Sequence, residues 1–514
     1  MIADWLHTGI YYFFKNIDHV VGKGEEAVKK RIYILVLVML GMLYANIALA
    51  KPVTSHVVIV TDGQDKPIET GATAFVDQYQ IMLPVAVIKD YLYDNVNLDP
   101  DNKRVNFALL LPKFRLETEK LDELIYSGVD LNFPTKEISG QPYIDIYGLD
   151  KMLGIDVTFH ELSKKLVIQT GKNSFFSPLQ LNKPRERQIF QGKINLVWDH
   201  VIKESRNLES ENKITGLDVL APTWFSIAND NGLIINKADM KYVQDAHTKG
   251  YKVWALVNNS FDKDLTRAIL NNEWAKRNVI KQLLVYSSLY NLDGINIDFE
   301  NIYDEDKEKL TEFVRELTAA LKEQNIIVSI DVTVPSTTSF WSLCYDRSEL
   351  GKIVDYVMVM TYDEHWRTSP VSGSVASQGW VDKGIAATLR SVPKEKLLMG
   401  LPFYTREWEE TRENGRTYVK SRAISMAQAN TIIAEQGLNP VWLQDKGQNY
   451  VEYHKEGKLY RIWLEDQKSI ALKVSLVHKY GLAGAASWRK DFEQPETWDV
   501  LNEALKKSTG HKLN

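Results

Sequence analysis

The chain of 514 residues carries 62 Lys and Arg against 67 Asp and Glu, a net charge of −5, with 44% hydrophobic and 25% charged residues. That balance excludes a collagen-like, mainly disordered or polytopic membrane protein, and it lacks the basic excess of a nucleic-acid footprint, so no nucleic-acid partner is expected. A single cysteine, Cys344, excludes an intramolecular disulfide and a cysteine-built metal cluster, while 13 Trp and 24 Tyr supply aromatic surface of the kind found in cores and in sugar clefts.

The first element in chain order is a leader over residues 1–50. Its apolar stretch, 32–50, carries no charge over 19 positions and follows Lys29, Lys30 and Arg31. Ala48-Leu49-Ala50 ahead of Lys51 fits the small-x-small pattern of a signal-peptidase site. The same stretch is just long enough to span a bilayer, and the segment before it is long for a signal n-region. Two fates follow: a cleaved signal peptide, or an anchor with its basic end in the cytoplasm. In both, the remainder is expected to be extracellular or associated with the cell wall, with membrane contact only through an uncleaved leader.

Residues 57–170 alternate short β-rich runs with turns and contain an internal repeat at an offset of 61 residues. Gln80-Ile81-Met82-Leu83 falls on Gln141-Pro142-Tyr143-Ile144, and Ile88, Leu92, Val96, Leu98, Val105 and Phe107 fall on Leu149, Leu153, Val157, Phe159, Leu166 and Ile168. Each copy reads as a strand, a helical turn and a β-hairpin, the hairpin loops being 99–102 and 160–163. This pattern resembles the copper amine oxidase N-terminal-like domain of secreted Gram-positive proteins, which implies a small α+β repeat domain that contacts the cell wall or acts as a spacer. Its histidines, His56 and His160, offer no ligand cluster, so no metal is expected. Residues 171–192 lack periodicity and read as a linker.

From residue 193 to 508, β-branched apolar runs recur with helical stretches between them: 194–198, 217–221, 253–257, 294–300, 326–332, 356–361, 397–401 and 484–488. Runs apolar on both faces and alternating with helices indicate a parallel sheet, and eight of them predict a (β/α)8 TIM barrel. The rival is a doubly wound open sheet. Against it, no glycine-rich phosphate loop follows any strand, whereas polar or aromatic residues end most of them. An α+β insertion lies between strands seven and eight, with a hairpin predicted over 449–453 and 459–463.

The most informative run is Asp293-Gly294-Ile295-Asn296-Ile297-Asp298-Phe299-Glu300. Strand alternation puts Asn296, Asp298 and Glu300 on one face and Ile295, Ile297 and Phe299 on the other. The apolar set packs under helices, and the polar set then projects into the barrel, where adjacent carboxylates raise one another and Glu300 suits a general acid. Asp331, after an apolar run, reads equally as a site residue or as a buried hydrogen-bonded acid. Asp363 reads as a supporting acid, and Cys344 as a buried inert thiol.

These residues resemble the fourth-strand signature Asp-Gly-x-Asp-x-Asp-x-Glu of glycoside hydrolase family 18, the chitinase family. Met360-Thr361-Tyr362-Asp363, Gly400-Leu401-Pro402-Phe403-Tyr404 and Ser487-Trp488 resemble its sixth-, seventh- and eighth-strand patterns, so the likeness covers about residues 190–505. The runs 293–301, 362–366 and 470–484 look most like the peptidoglycan-active bacterial branch that includes spore-cortex N-acetylglucosaminidases. The resemblance implies a retaining, substrate-assisted glycosidase without cofactor. Glu300 would protonate the leaving oxygen while the 2-acetamido carbonyl of the sugar attacks C1, Asp298 would orient the acetamide N–H, and Tyr362 would donate to its oxygen. Asp293, Asn296, Trp224, Asn258, Tyr404 and Trp488 are the expected substrate-binding residues, with Trp488 as the apolar floor. Trp366, Arg406 and Trp408 also follow predicted strands, where sugar contact and local packing weigh about equally.

Two departures matter. Asn296 stands where the family usually has a middle acid that exchanges hydrogen bonds with the next Asp. Asn258-Asn259-Ser260 stands where many chitinases carry Ser-x-Gly-Gly. The first predicts an altered pH dependence and not inactivity, as the peptidoglycan-active branch commonly shows Asn there; the second weakens the chitin assignment, and chitin is kept as the alternative substrate. A carbohydrate-binding protein without turnover is the rival of a different class, opposed by the retention of Glu300, Asp298 and Tyr362.

Overall fold

The computed structural model describes residues 53–109, 129–170 and 188–507, apart from 62–65, 77–79 and isolated positions between 94 and 154. The leader and nearly all of the linker lie outside the described residues. Among the described residues no helix is long and apolar enough to cross a membrane.

Eight parallel strands form the centre. Their order around the barrel is Val219–Pro222, Ile194–Asp199, Gly484–Trp488, Leu397–Pro402, Tyr356–Met360, Ile327–Thr333, Gly294–Asp298 and Lys252–Asn258, and pairing of Val219 with Lys252 closes the ring. All eight expected strands are present, and the closed ring excludes the open sheet. Leu196, Trp198, Trp254, Leu256, Met358, Leu398 and Ala486 fill the interior. Ile295, Ile297 and Phe299 face outward and are at most 1% exposed, with Phe299 stacked on Phe313 at 5.7 Å. Burying side chains of this size contributes roughly 1.5–3 kcal/mol each, which is why the period of two in this strand fixes its register. Gly294 is required for a close approach: a Cβ there would lie 2.6 Å from Cδ1 of Trp254.

Two features depart from simple alternation. The link between the first and second strands has only a short turn at Leu208–Ser210 in place of a helix, and the second strand is followed by a hairpin, Phe225–Ile227 with Ile234–Asn236, that pairs with the third. The insertion is larger than the one hairpin predicted: five antiparallel strands, led by Tyr404–Glu413 paired residue for residue with Arg416–Ser425. Those two strands are rich in Arg, Glu and Lys because one face is solvated, so they lack the apolar alternation that marks a strand. Helix Met426–Glu435 follows, started by a capping box between Ser425 and Gln428.

In the N-terminal module the two repeated strands, Ile81–Pro84 and Gln141–Asp145, pair with each other antiparallel. The module lies against the barrel. The Asn132 N–H donates to the Tyr286 hydroxyl at 2.8 Å, Arg104 Nη2 donates to the Asn236 carbonyl at 2.5 Å, and Phe133 meets the Tyr286 ring edge-on at 6.2 Å.

Candidate active site

The C-terminal ends of the barrel strands bring most of the expected residues together. Parallel register sets Asn258, Asp298 and, one step beyond the Ile297–Ile330 pair, Asp331 side by side on the third, fourth and fifth strands, with Asn296 and Ser329 one layer below. All of these point inward by the same alternation. Asn296 is fully buried: its carbonyl accepts from the Trp198 indole N–H at 2.8 Å, and its Nδ2 donates to Asp331 Oδ1 at 2.8 Å and to Ser329 Oγ at 3.2 Å. It is therefore a structural hub beneath the carboxylates and not a group on the cleft surface.

Glu300 stands two residues past its strand, partly open to the cleft. Its backbone is clasped by Asn259, which accepts from the Glu300 N–H at 3.1 Å and donates to the Glu300 carbonyl at 2.7 Å. Asn259 is itself held by Thr266 at 2.8 Å, and the preceding Phe299 carbonyl accepts from the Tyr345 hydroxyl at 2.7 Å. Asn258 turns its own Oδ1 to the Ser260 N–H at 2.9 Å. The clasp by Asn259 and Tyr345 is invisible in the sequence, because neither lies on the motif strand; the only hint is the paired Asn258-Asn259 at a strand end.

Burial, then the charges of Asp298 and Asp363, hold the Glu300 carboxyl well above the usual range, which favours its protonated form. Burial pushes Asp298 up to about 7, and its Oδ1 is a buried acceptor with no protein partner. Asp331 is raised well above the usual range by burial and then by Asp298, against the hydrogen bond from Asn296.

Tyr362 follows the sixth strand, two strands around the barrel from Asp298. A Cβ at Gly400 would lie 2.9 Å from its Cε1, so only glycine lets the ring lie there. Its ring meets Tyr404 edge-on at 6.3 Å, and Tyr404 donates to Asp363 Oδ1, which also takes Arg406 Nη2 at 2.9 Å. Tyr404 is 5% exposed, so it supports Tyr362 and Asp363 more than it meets solvent. Trp488 is partly open, 5.9 Å from the Trp198 ring.

Two expected substrate contacts do not lie in the site. Asp293 precedes the strand, at the end of the barrel away from Glu300. It takes His247 at 2.6 Å, Lys252 at 3.0 Å and the Val253 N–H at 2.9 Å, and these outweigh its burial to hold it below the usual carboxylate range. Trp224 is fully buried, with its indole donating to Ser205 at 2.8 Å and its ring against Tyr242, so it is core. Trp408 is also buried, bonded to the Gly373 carbonyl, whereas Trp366 is exposed. Cys344 is buried, its thiol pushed up to about 12 by burial.

A glutamate and an aspartate with raised carboxyls, side by side at the mouth of a (β/α)8 barrel, fit the class of glycoside hydrolases. Residues 197–493 match the family described as glycosyl hydrolases family 18, and the chain belongs to that family. It is 29% identical over 304 residues to the uncharacterized glycosylase YvbX of Bacillus subtilis, covering 57% of this chain and 86% of that protein. It is 27% identical over 253 residues to the cortical fragment-lytic enzyme of the same organism, covering 48% of this chain and 58% of that enzyme's length. In fold it is similar to the spore cortex-lytic enzyme SleL of Bacillus megaterium, with a TM-score of 0.55 at 21% identity over 63% of this chain and 75% of that one.

Proposed function

We propose that this glycoside hydrolase is a retaining, substrate-assisted enzyme that cleaves β-linked N-acetylglucosamine in peptidoglycan. The observation that carries the reading is the buried, unpartnered Oδ1 of Asp298 on the same strand face as Glu300, whose carboxyl burial raises. A buried acceptor without a partner is costly unless a ligand supplies the donor, and an acetamide N–H is such a donor. Glu300 then gives its proton to the glycosidic oxygen as the acetamide carbonyl attacks C1. It afterwards takes a proton from the water that opens the oxazolinium ion. Tyr362 donates to the acetamide oxygen, and Trp488 forms the apolar floor of the sugar pocket. Asn258 is the remaining polar contact on the cleft.

Likeness to a cortical fragment-lytic enzyme supports a wall polymer as the substrate. The N-terminal module is proposed as a repeat domain of the copper amine oxidase N-terminal-like type that contacts the wall. Residues 1–50 are proposed to export the protein, by cleavage after Ala50 or as an anchor; mass spectrometry of the exported protein distinguishes a chain starting at Lys51 from an intact leader in the membrane fraction.

The test is product analysis of the purified chain beside Glu300→Gln on peptidoglycan and on chito-oligosaccharides. Reducing N-acetylglucosamine ends released from peptidoglycan by the parent alone are expected. Release only from chito-oligosaccharides would move the substrate to chitin, and binding without products from either would make the protein a lectin.

A further inference from the structure

Three acids share the floor of this site, and the reaction as derived uses two. The third, Asp331, is 1% exposed against 8% for Asp298. Register makes them cross-strand neighbours: Asn296 pairs with Ser329 and Ile297 with Ile330, so the next pair is Asp298 with Asp331, both inward, on strands about 4.8 Å apart. Two ionised carboxylates at that spacing without a cation repel strongly. The titratable groups that face Asp331 are Asp298 and Glu300 from the fourth strand and Tyr362 from the end of the sixth, and Arg406 is engaged by Asp363.

Asn296 orients Asp331 without adding charge to the pair. Its carbonyl is occupied by the Trp198 indole, which orients the amide so that Nδ2 points to Asp331 Oδ1. An amide N–H satisfies one oxygen of either a carboxylate or a carboxylic acid, and it supplies no charge. A Lys or Arg in its place would have ionised Asp331.

We propose that Asp331 is a positioning acid that keeps a proton beside Asp298, so that the pair carries one negative charge and that charge stays on the member facing the sugar. The proton remains on the Asp331 carboxyl throughout, donated as a hydrogen bond towards Asp298, and no bond is made or broken at Asp331. The site thereby supplies from the fifth strand a carboxyl partner for Asp298 that Asn296 cannot provide on the fourth. Burial and the Asp298 charge, which raise Asp331, act in the direction this needs. The inference rests on the reading of Asp298 as the acetamide partner.

The test compares Asp331→Ala and Asp331→Asn with the parent, as pH profiles of kcat on solubilised peptidoglycan strands or on chitotetraose, whichever the parent cleaves. Asn keeps a neutral donor of the same shape; Ala removes it. The alanine variant should lose at least about tenfold in kcat, with its acid limb moved to higher pH because Asp298 loses a donor to its charged form. The asparagine variant should recover most of that rate and return the limb to the parental position. If the alanine variant does not fold, Asp331→Leu replaces it as a donor-free residue of similar size. An acid limb that does not move without the donor, or that moves as far with Asn, overturns the proposal. Glu300→Gln is the control: its activity would remove the mechanism itself, whereas an inactive Glu300→Gln with an unmoved limb removes only the role of Asp331.

Discussion

Replacing Asp298 by Asn should make the protein more stable at pH 8 while removing its activity. Burial raises this carboxyl from 3.8 to about 7. Because the folded form holds its proton more tightly than the unfolded chain, the group costs nothing below about pH 4, and the cost grows as pH rises towards 7 and beyond. A shift of about three units corresponds to about 4 kcal/mol at pH 8, at 1.36 kcal/mol per unit. Asparagine has the same shape and no charge, so it relieves this cost, offset by roughly 1–3 kcal/mol where its amide N–H groups lack acceptors. The expected gain at pH 8 is therefore about 1–3 kcal/mol, and at pH 4, where little of the ionisation cost remains, only the amide penalty is left. Urea unfolding followed by Trp fluorescence, parent against variant at both pH values, measures the difference; titration of groups remote from Asp298 cancels in it, while Glu300 and Asp331, which its charge raises, are relieved in the same direction. A variant no more stable relative to the parent at pH 8 than at pH 4 would refute the claim that Asp298 is held ionisable against its surroundings.

The other predictions concern the groups around it. Tyr362→Phe should lower kcat by about ten- to a thousandfold, the range for a lost donor to developing charge, and a change confined to KM would make Tyr362 a binding residue only. Asn259→Ala frees both backbone bonds of Glu300, so kcat should fall with KM nearly constant; steady-state kinetics check this, and a selective rise in KM would contradict it. The alkaline limb of the rate should fall well above the ordinary glutamate range, since ionisation of Glu300 removes the acid; a limb near pH 5 would contradict the raised carboxyl. Tyr286→Phe removes the hydroxyl that accepts from the Asn132 N–H, and limited proteolysis should then cut the module faster at a cost of about 1 kcal/mol.

Much of this molecule was legible before any coordinates. Eight apolar runs with helices between most of them are a local pattern, and burial on both faces gives each strand its composition, so the barrel followed from the chain itself. The period of two separated Asn296, Asp298 and Glu300 from Ile295, Ile297 and Phe299. Other facts depend on which strands become neighbours. Asp331 could be either a site residue or a buried acid; register places it beside Asp298, buried and bonded by Asn296, which the chain alone does not reveal. Asp293 belongs to the same motif as Glu300, yet it binds His247 and Lys252 at the far end of the barrel, because a motif spread along a strand spans the height of the sheet. Trp224 follows a strand as a cleft aromatic does, and its indole found Ser205 in the core. The clasp of Asn259 and Tyr345 around Glu300 joins residues dozens of positions apart. Alternation is a property of a segment, readable residue by residue; hydrogen-bond partners belong to pairs and carboxyl shifts to the burial around them, and both exist only once the barrel has closed.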